Sequence, residues 1–294
     1  MVAAGGLVGA VSLAVAVAAW TLAPLYVSRA SLKARIDPLA FNGWRMLVAA
    51  LATLPGAVLL EGFPWSTPWL DPVFEAGVWL GGVFASIVGD GLFVYSVSRL
   101  GAGVALPTAY LFVVWTALYD YTRGAAGPWV VAAAIVAVAG IALVAGSGGG
   151  RGVFEPRAFA AAVGASLIWG GSMYAYQAAL ERAGFLSVAE ARAVFMVAVL
   201  LPLMLRWREW RLVREEIVVS SLLGYVVGAV AFLKALQLMS ASVVSLGLAA
   251  TPVLTQLLSG RVAGERVTAR LLLGGGLVAV GIAVAQLAQA GLLP

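Results

Sequence analysis

Ser147-Gly148-Gly149-Gly150-Arg151-Gly152 stands at the midpoint of this 294-residue chain, and the fold is read outward from it. A glycine–serine run of this kind is a coil with little stiffness. The sequence on its two sides matches in order. Trp20 corresponds to Trp169, and Arg45 precedes Pro55 by ten residues as Arg192 precedes Pro202. Tyr95 to Ala102 lines up with Lys234 to Ala241. Val136-Ala137-Val138-Ala139-Gly140-Ile141 resembles Leu277-Val278-Ala279-Val280-Gly281-Ile282. Four matches in one order mark a duplication, with residues 1–147 and 153–294 as the copies and 148–152 as the glycine-rich linker.

The chain is 63% hydrophobic and 11% charged, against about 25% charged in soluble domains. Met1–Ser28, Leu100–Tyr119, Gly124–Gly150, Ala158–Leu180, Ala235–Gly260 and Leu271–Pro294 carry no charge. Each exceeds or approaches the roughly 20 residues needed to cross a bilayer, where only helices and closed barrels satisfy their own backbone. Pro, Gly and charge punctuation predicts ten spans, at about 3–28, 38–60, 74–97, 101–120, 126–146, 157–180, 187–205, 216–238, 241–259 and 268–289. The fold class is thus an all-α polytopic membrane protein of ten transmembrane helices in two five-helix repeats. An odd number of spans per copy inverts the second copy relative to the first, an arrangement that places substrate sites near the midplane in many secondary transporters. Met1–Ala19 lacks the positive n-region of a signal peptide and is read as the first membrane helix.

The chain has no Cys and no His. That excludes disulfides, thiol chemistry and His-based catalytic or metal sites, so no metal, no cofactor and no enzymatic activity are expected. The basic balance does not point to nucleic acid, because the cations sit in short loops. Of the 18 Lys and Arg, Arg45, Arg192 and Lys234 lie inside spans, and among the rest only Arg123 and Arg182 lie in even-numbered loops. The positive-inside rule then puts odd loops in the cytoplasm and both termini outside the cytoplasmic membrane.

Phe232-Leu233-Lys234-Ala235-Leu236-Gln237-Leu238-Met239-Ser240-Ala241-Ser242, with Thr251-Pro252-Val253 and Gly264-Glu265, resembles the second repeat of the drug/metabolite transporter superfamily, in particular its ten-span EamA-type permeases. Trp169-Gly170-Gly171-Ser172 matches the start of such a repeat, with Trp20 as its weaker counterpart. The resemblance covers nearly the whole chain and implies a secondary carrier working by alternating access at the interface of the repeats, with export or exchange of amino acids and related metabolites. It also implies cytoplasmic termini, opposite to the charge count. The first half has no acid at the place of Glu265, and the first span lacks the glutamate on which the small dimeric multidrug relatives rely.

Ionisable residues inside a membrane are costly and mark function by default. Arg45 is a candidate anchor for a substrate carboxylate or phosphate, against a structural pair or a snorkelling side chain. Asp90, between Gly89 and Gly91, is a candidate for binding an ammonium group or for proton coupling, against an ion pair with Arg45 or Lys234. Lys234 is a candidate anion contact, against snorkelling to its helix end. Trp20, Tyr95, Tyr110 and Trp169 are candidates to shape the substrate pocket, against core packing. Glu190 and Arg192, within a turn of the start of their span, are assigned a local interfacial role. A carrier of phosphorylated or nucleotide-linked anions, clamped by Arg45 and Lys234, is the alternative substrate class. A non-transporting bundle is the alternative of another kind. The expected partners are a small-molecule substrate and membrane lipid, and the chain is expected as a monomer, with a homodimer open.

Overall fold

A computed structural model describes residues 2–100, 102–145, 155–263, 269–289 and 292–293, and the regular structure among them is entirely helical. The 148–152 linker and Glu265 lie outside the described residues. In the first half, α1 is Val2–Lys33, α2 Pro38–Glu61 and α3 Pro72–Val78; a π-helical segment, Trp79–Gly89, leads into α4, Asp90–Leu100. The half continues with α5 (Ala102–Ala109), α6 (Phe112–Thr122) and α7 (Pro128–Ala145). The second half contains α8 (Pro156–Leu180), α9 (Phe185–Arg206) and a short 3₁₀ turn, Glu209–Val213. It continues with α10 (Arg214–Ser221), a second π-helical segment (Leu222–Ala229), α11 (Val230–Leu238), α12 (Ala241–Leu248), α13 (Ala250–Ala263) and α14 (Ala269–Gln289).

Among the described residues, six helical runs are long and apolar enough to cross a membrane: Gly6–Val27, Pro38–Glu61, Pro72–Ser96, Pro156–Leu180, Phe185–Arg206 and Glu209–Leu238. Pro128–Leu143, Ala241–Thr255 and Leu272–Ala288 are shorter apolar helices. The fourth expected span is broken at Tyr110-Leu111 and the ninth at Ala249. The ring of Pro252 removes the N–H that would bond the Leu248 carbonyl, which suits a break just before it.

Local signals explain the starts and stops. Asp37 and Asp71 accept from backbone N–H groups of the helices that begin with Pro38 and Pro72, the N-cap plus first-position proline combination. Gly62 ends α2 at φ 72°, the left-handed conformation in which glycine carries no Cβ penalty. At the start of α9 the cap comes from elsewhere in the chain. Glu61 accepts from Leu186 N at 3.2 Å and from Ser187 N at 2.8 Å.

The helices gather into two compact units, each drawing on both sequence halves: residues 1–83 with 175–238, and residues 84–174 with 239–294. In the first unit α2 lies antiparallel to α9. Glu61 meets the start of α9, Thr53 meets Glu190, and Gly43 faces Leu200 and Met204. Its Phe41 and Trp207 lie in an apolar cluster with Ala30, Ala40, Val213 and Ile217. In the second unit α7 and α14 come together at backbone contact, because a Cβ on Gly140 would stand 2.5 Å from the Gly274 carbonyl oxygen. Small residues of this kind let membrane helices approach closely.

Candidate functional site

The two π-helical segments occupy matching places in the duplication, since the register that aligns Tyr95 with Lys234 also aligns Gly89 with Gly228 and Phe93 with Phe232. Such segments are rare and recur at functional sites. Each receives a tryptophan from the first span of the other sequence half. Trp20 donates through Nε1 to the Gly224 carbonyl at 2.7 Å and rests on Phe232 with centroids 5.2 Å apart. Trp169 donates to Asp90 Oδ1 at 3.1 Å and rests on Phe93, again at 5.2 Å. A Cβ on Gly228 would stand 2.6 Å from the Trp20 ring, and one on Gly89 would stand 2.9 Å from Trp169 Nε1. The glycines are therefore what admits the indoles.

Arg45 lies in the first unit, against the second π segment. Its Nη1 donates to Asn42 Oδ1 and its Nη2 to the Ser220 carbonyl, both at 3.1 Å. Its guanidinium carbon sits 4.4 Å from the centre of the Tyr225 ring, and the Tyr225 hydroxyl donates to the same Asn42 oxygen at 2.7 Å. Ser221 Oγ donates to the Arg45 carbonyl at 2.5 Å, tying α2 to α10. The Arg45 Nε is buried and has no hydrogen-bond partner among the described residues. No carboxylate lies within ion-pair distance of Arg45 among those residues.

Arg192 approaches the same ring. Its guanidinium carbon is 5.3 Å from the Tyr225 centroid, and Nη1 donates to the Tyr176 hydroxyl at 3.3 Å. Gly82 makes room for it, because a Cβ there would stand 2.5 Å from Arg192 Cγ. The two arginines that hold equivalent places in the duplication thus share one tyrosine. A cation within about 6 Å of an aromatic centroid gains from the ring quadrupole. Two such cations on one ring make a strongly positive locus.

The interfacial role expected for Glu190 and Arg192 is corrected here, since both are buried, at 1% and 6% exposure. The first turn of α9 is covered by Glu61, so nearness to the helix start does not bring water. Lys234 reaches Gln237 Oε1, near the end of its own helix, at 3.2 Å and the ring of Phe185, the first residue of α9, at 4.7 Å. Tyr95 is exposed and bonds Glu155 Oε1 at 3.1 Å. In the second unit Tyr110 packs on Phe112, which meets the Trp169 ring edge-on, so Tyr110, Trp169 and Asp90 form one cluster. The first unit brings Arg45 and Trp20 together around Gly224.

Of the other contributors to the Arg45 locus, Asn42 and Tyr225 are not singled out by the sequence, and Arg192 is given an interfacial role there. Arg192 was marked by its equivalence to Arg45, which was the available signal. Asn42 and Tyr225 carried none, because an asparagine one turn before an arginine and a tyrosine among many are unremarkable in sequence. Asp120 was also missed. It is buried, accepts from Tyr174 Oη at 2.9 Å and from Ser242 N at 3.1 Å, and so caps the start of α12.

No curated protein matches the sequence. A crystal structure of another protein superposes with a TM-score of 0.77 at 21% identity, covering 99% of this chain and 99% of that one. At that identity the likeness establishes the fold. The model of the EamA-like transporter family matches twice, over residues 7–146 and 157–286. This polytopic membrane protein, with its two sets of matched spans, belongs to the EamA-like transporter family, membrane carriers of the drug/metabolite transporter superfamily.

Proposed function

We propose that the protein carries small carboxylate-bearing metabolites, amino acids first, across the cytoplasmic membrane by alternating access, with Arg45 as the anchor for the carboxylate. The observation that carries this reading is the buried Nε–H of Arg45, left without an acceptor among the described residues while both Nη atoms are held by Asn42 and Ser220. A buried donor without a partner is costly, and a guanidinium cannot shed its charge. A carboxylate accepting from Nε supplies both the missing acceptor and the countercharge. The locus is built from both repeats, with Arg45 and Asn42 from the first and Tyr225 from the second. Asp90 is not needed for this step, since its carboxylate serves Trp169. The positive-charge bias of the odd loops supports termini outside the cytoplasm.

A second reading, transport of phosphorylated anions, is favoured by the Arg192 guanidinium on the same Tyr225 ring, because two cations suit a dianion. A thermal-shift screen of the detergent-purified protein separates the two. A ligand that binds only the folded state at about 100 times its Kd stabilises by about 2.7 kcal/mol. The expected result is stabilisation by L-amino acids in the wild type and in Asp90→Asn, lost in Arg45→Gln. Stabilisation by sugar phosphates or nucleotides alone overturns the amino-acid reading.

A further inference from the structure

Glu190 is the one carboxylate of α9, and only 1% of its surface is exposed. Its partner is Thr53 of α2, whose Oγ1 lies 2.5 Å from Glu190 Oε2. The same Oγ1 lies 2.9 Å from the carbonyl oxygen of Ala49, one turn back along α2. A hydroxyl has a single proton. It satisfies one of these two oxygens and leaves the other facing it with no hydrogen between them. One arrangement satisfies all three: Thr53 donates to Ala49, and Glu190 donates its own proton to Thr53.

The charged groups on elements packed against α9 do not offer Glu190 a counter-ion. Glu61 of α2 is bound to the first amides of α9, and Arg45 of α2 is bound to Asn42 and Ser220. Lys234 of α11 engages Gln237 and Phe185, and Glu75 of α3 forms no ion pair among the described residues. Arg192, two residues along α9, turns to Tyr176 and Tyr225. A buried charge without a partner neutralises in preference to staying ionised.

We propose that Glu190 is a proton-binding site that holds its proton in this conformation, and that its proton is linked to the anion at Arg45. The second part rests on the proposed function. Thr53 and Arg45 share α2, and Glu190 and Arg192 share α9, so the Glu190–Thr53 contact joins the two helices that supply the cations of the locus. With Glu190 neutral, the positive charge of that locus is left to the substrate's carboxylate. When Glu190 releases its proton, Thr53 turns its own proton from Ala49 to the new carboxylate, and the negative charge competes with the substrate for the same cations. Proton and anion therefore favour each other's binding, and linkage makes the effect reciprocal.

The test begins with infrared difference spectroscopy of the purified protein at neutral pH without added solute. The wild type is expected to show the carbonyl stretch of a protonated carboxylic acid that Glu190→Gln lacks, and Thr53→Val, which removes the acceptor, is expected to shift it. Glu190→Gln keeps the size and hydrogen-bonding capacity of the neutral acid, so its unfolding temperature is expected to match wild type. Wild type and Glu190→Gln with identical carboxyl bands overturn the protonated site. In weak buffer with a pH-indicating dye, a mixture of the twenty L-amino acids is then expected to cause proton uptake in the wild type and none in Glu190→Gln. Equal uptake in both overturns the linkage. The infrared result needs no solute, so it stands or falls separately from the amino-acid reading.

Discussion

Replacing Arg45 by lysine tests whether the fork of the guanidinium, and not its charge alone, makes the site. In the structure the fork divides its work, with Nη1 on Asn42, Nη2 on the Ser220 carbonyl and Nε free for an incoming oxygen. The guanidinium carbon also lies 4.4 Å from the Tyr225 centroid. A lysine ammonium is a compact point charge that cannot span these acceptors and present a further donor in a fixed direction. Its net cost to the substrate complex is about one charge-assisted hydrogen bond, roughly 1.5–3 kcal/mol. At about 1.4 kcal/mol per decade that is a weakening of roughly 10- to 150-fold. Arg45→Gln removes the charge as well and is expected to abolish detectable binding. The effect on stability is smaller, about 1 kcal/mol for one lost neutral acceptor contact. The assay is a dose series of L-amino acids read by thermal shift on the wild type and both variants. If Arg45→Lys binds as tightly as the wild type, the directional argument is wrong. If Arg45→Gln does so too, the site lies elsewhere.

Close helix approach gives an internal control: Gly140→Val drives a side chain into the Gly274 carbonyl, whereas a Cβ added at Gly276 would meet nothing within 4 Å. Gly140→Val is expected to cost about 1–3 kcal/mol or more, as overpacking does, and Gly276→Ala to leave the unfolding temperature unchanged. Gly228→Ala presses on the Trp20 ring and strains the Trp20–Gly224 bond. It is expected to destabilise by a similar amount, with the penalty falling when combined with Trp20→Ala; additive penalties in the double-mutant cycle reject the contact. Glu61→Ala uncaps α9 and is expected to cost about 1–2 kcal/mol, more than Glu75→Ala in chemical denaturation. Because the chain has no cysteine, sidedness is directly measurable: Ser66→Cys is expected to react with a membrane-impermeant thiol reagent from outside intact cells and Arg208→Cys not to. The reverse pattern places the termini in the cytoplasm.

The architecture was legible because bilayer thickness acts on sequence directly. Charge-free runs, Pro and Gly punctuation and the ten-residue Arg–Pro spacing in both halves are local facts. The caps at Asp37-Pro38 and Asp71-Pro72 are local too, since a cap and its helix are neighbours in the chain, but they went unread in the sequence. Arg45 also stood out locally, as an unshieldable charge in an apolar span.

What surrounds Arg45 depends on contacts between residues far apart in sequence. Tyr225 bonds Asn42 across 183 positions, at the oxygen that also accepts from Arg45. Glu190 looked interfacial by its distance from a helix start, and the antiparallel register of α2 on α9 buried it against Thr53. Periodicity says which residues face a neighbour but not which neighbour, and in a chain this apolar nearly every helix face can be buried. Hydropathy, charge and repeat spacing therefore determined the spans and their duplication. Only tertiary packing decided that Arg45 and Arg192 share one tyrosine and that Asp90 meets Trp169, because those pairings arise from side chains on different helices meeting in space.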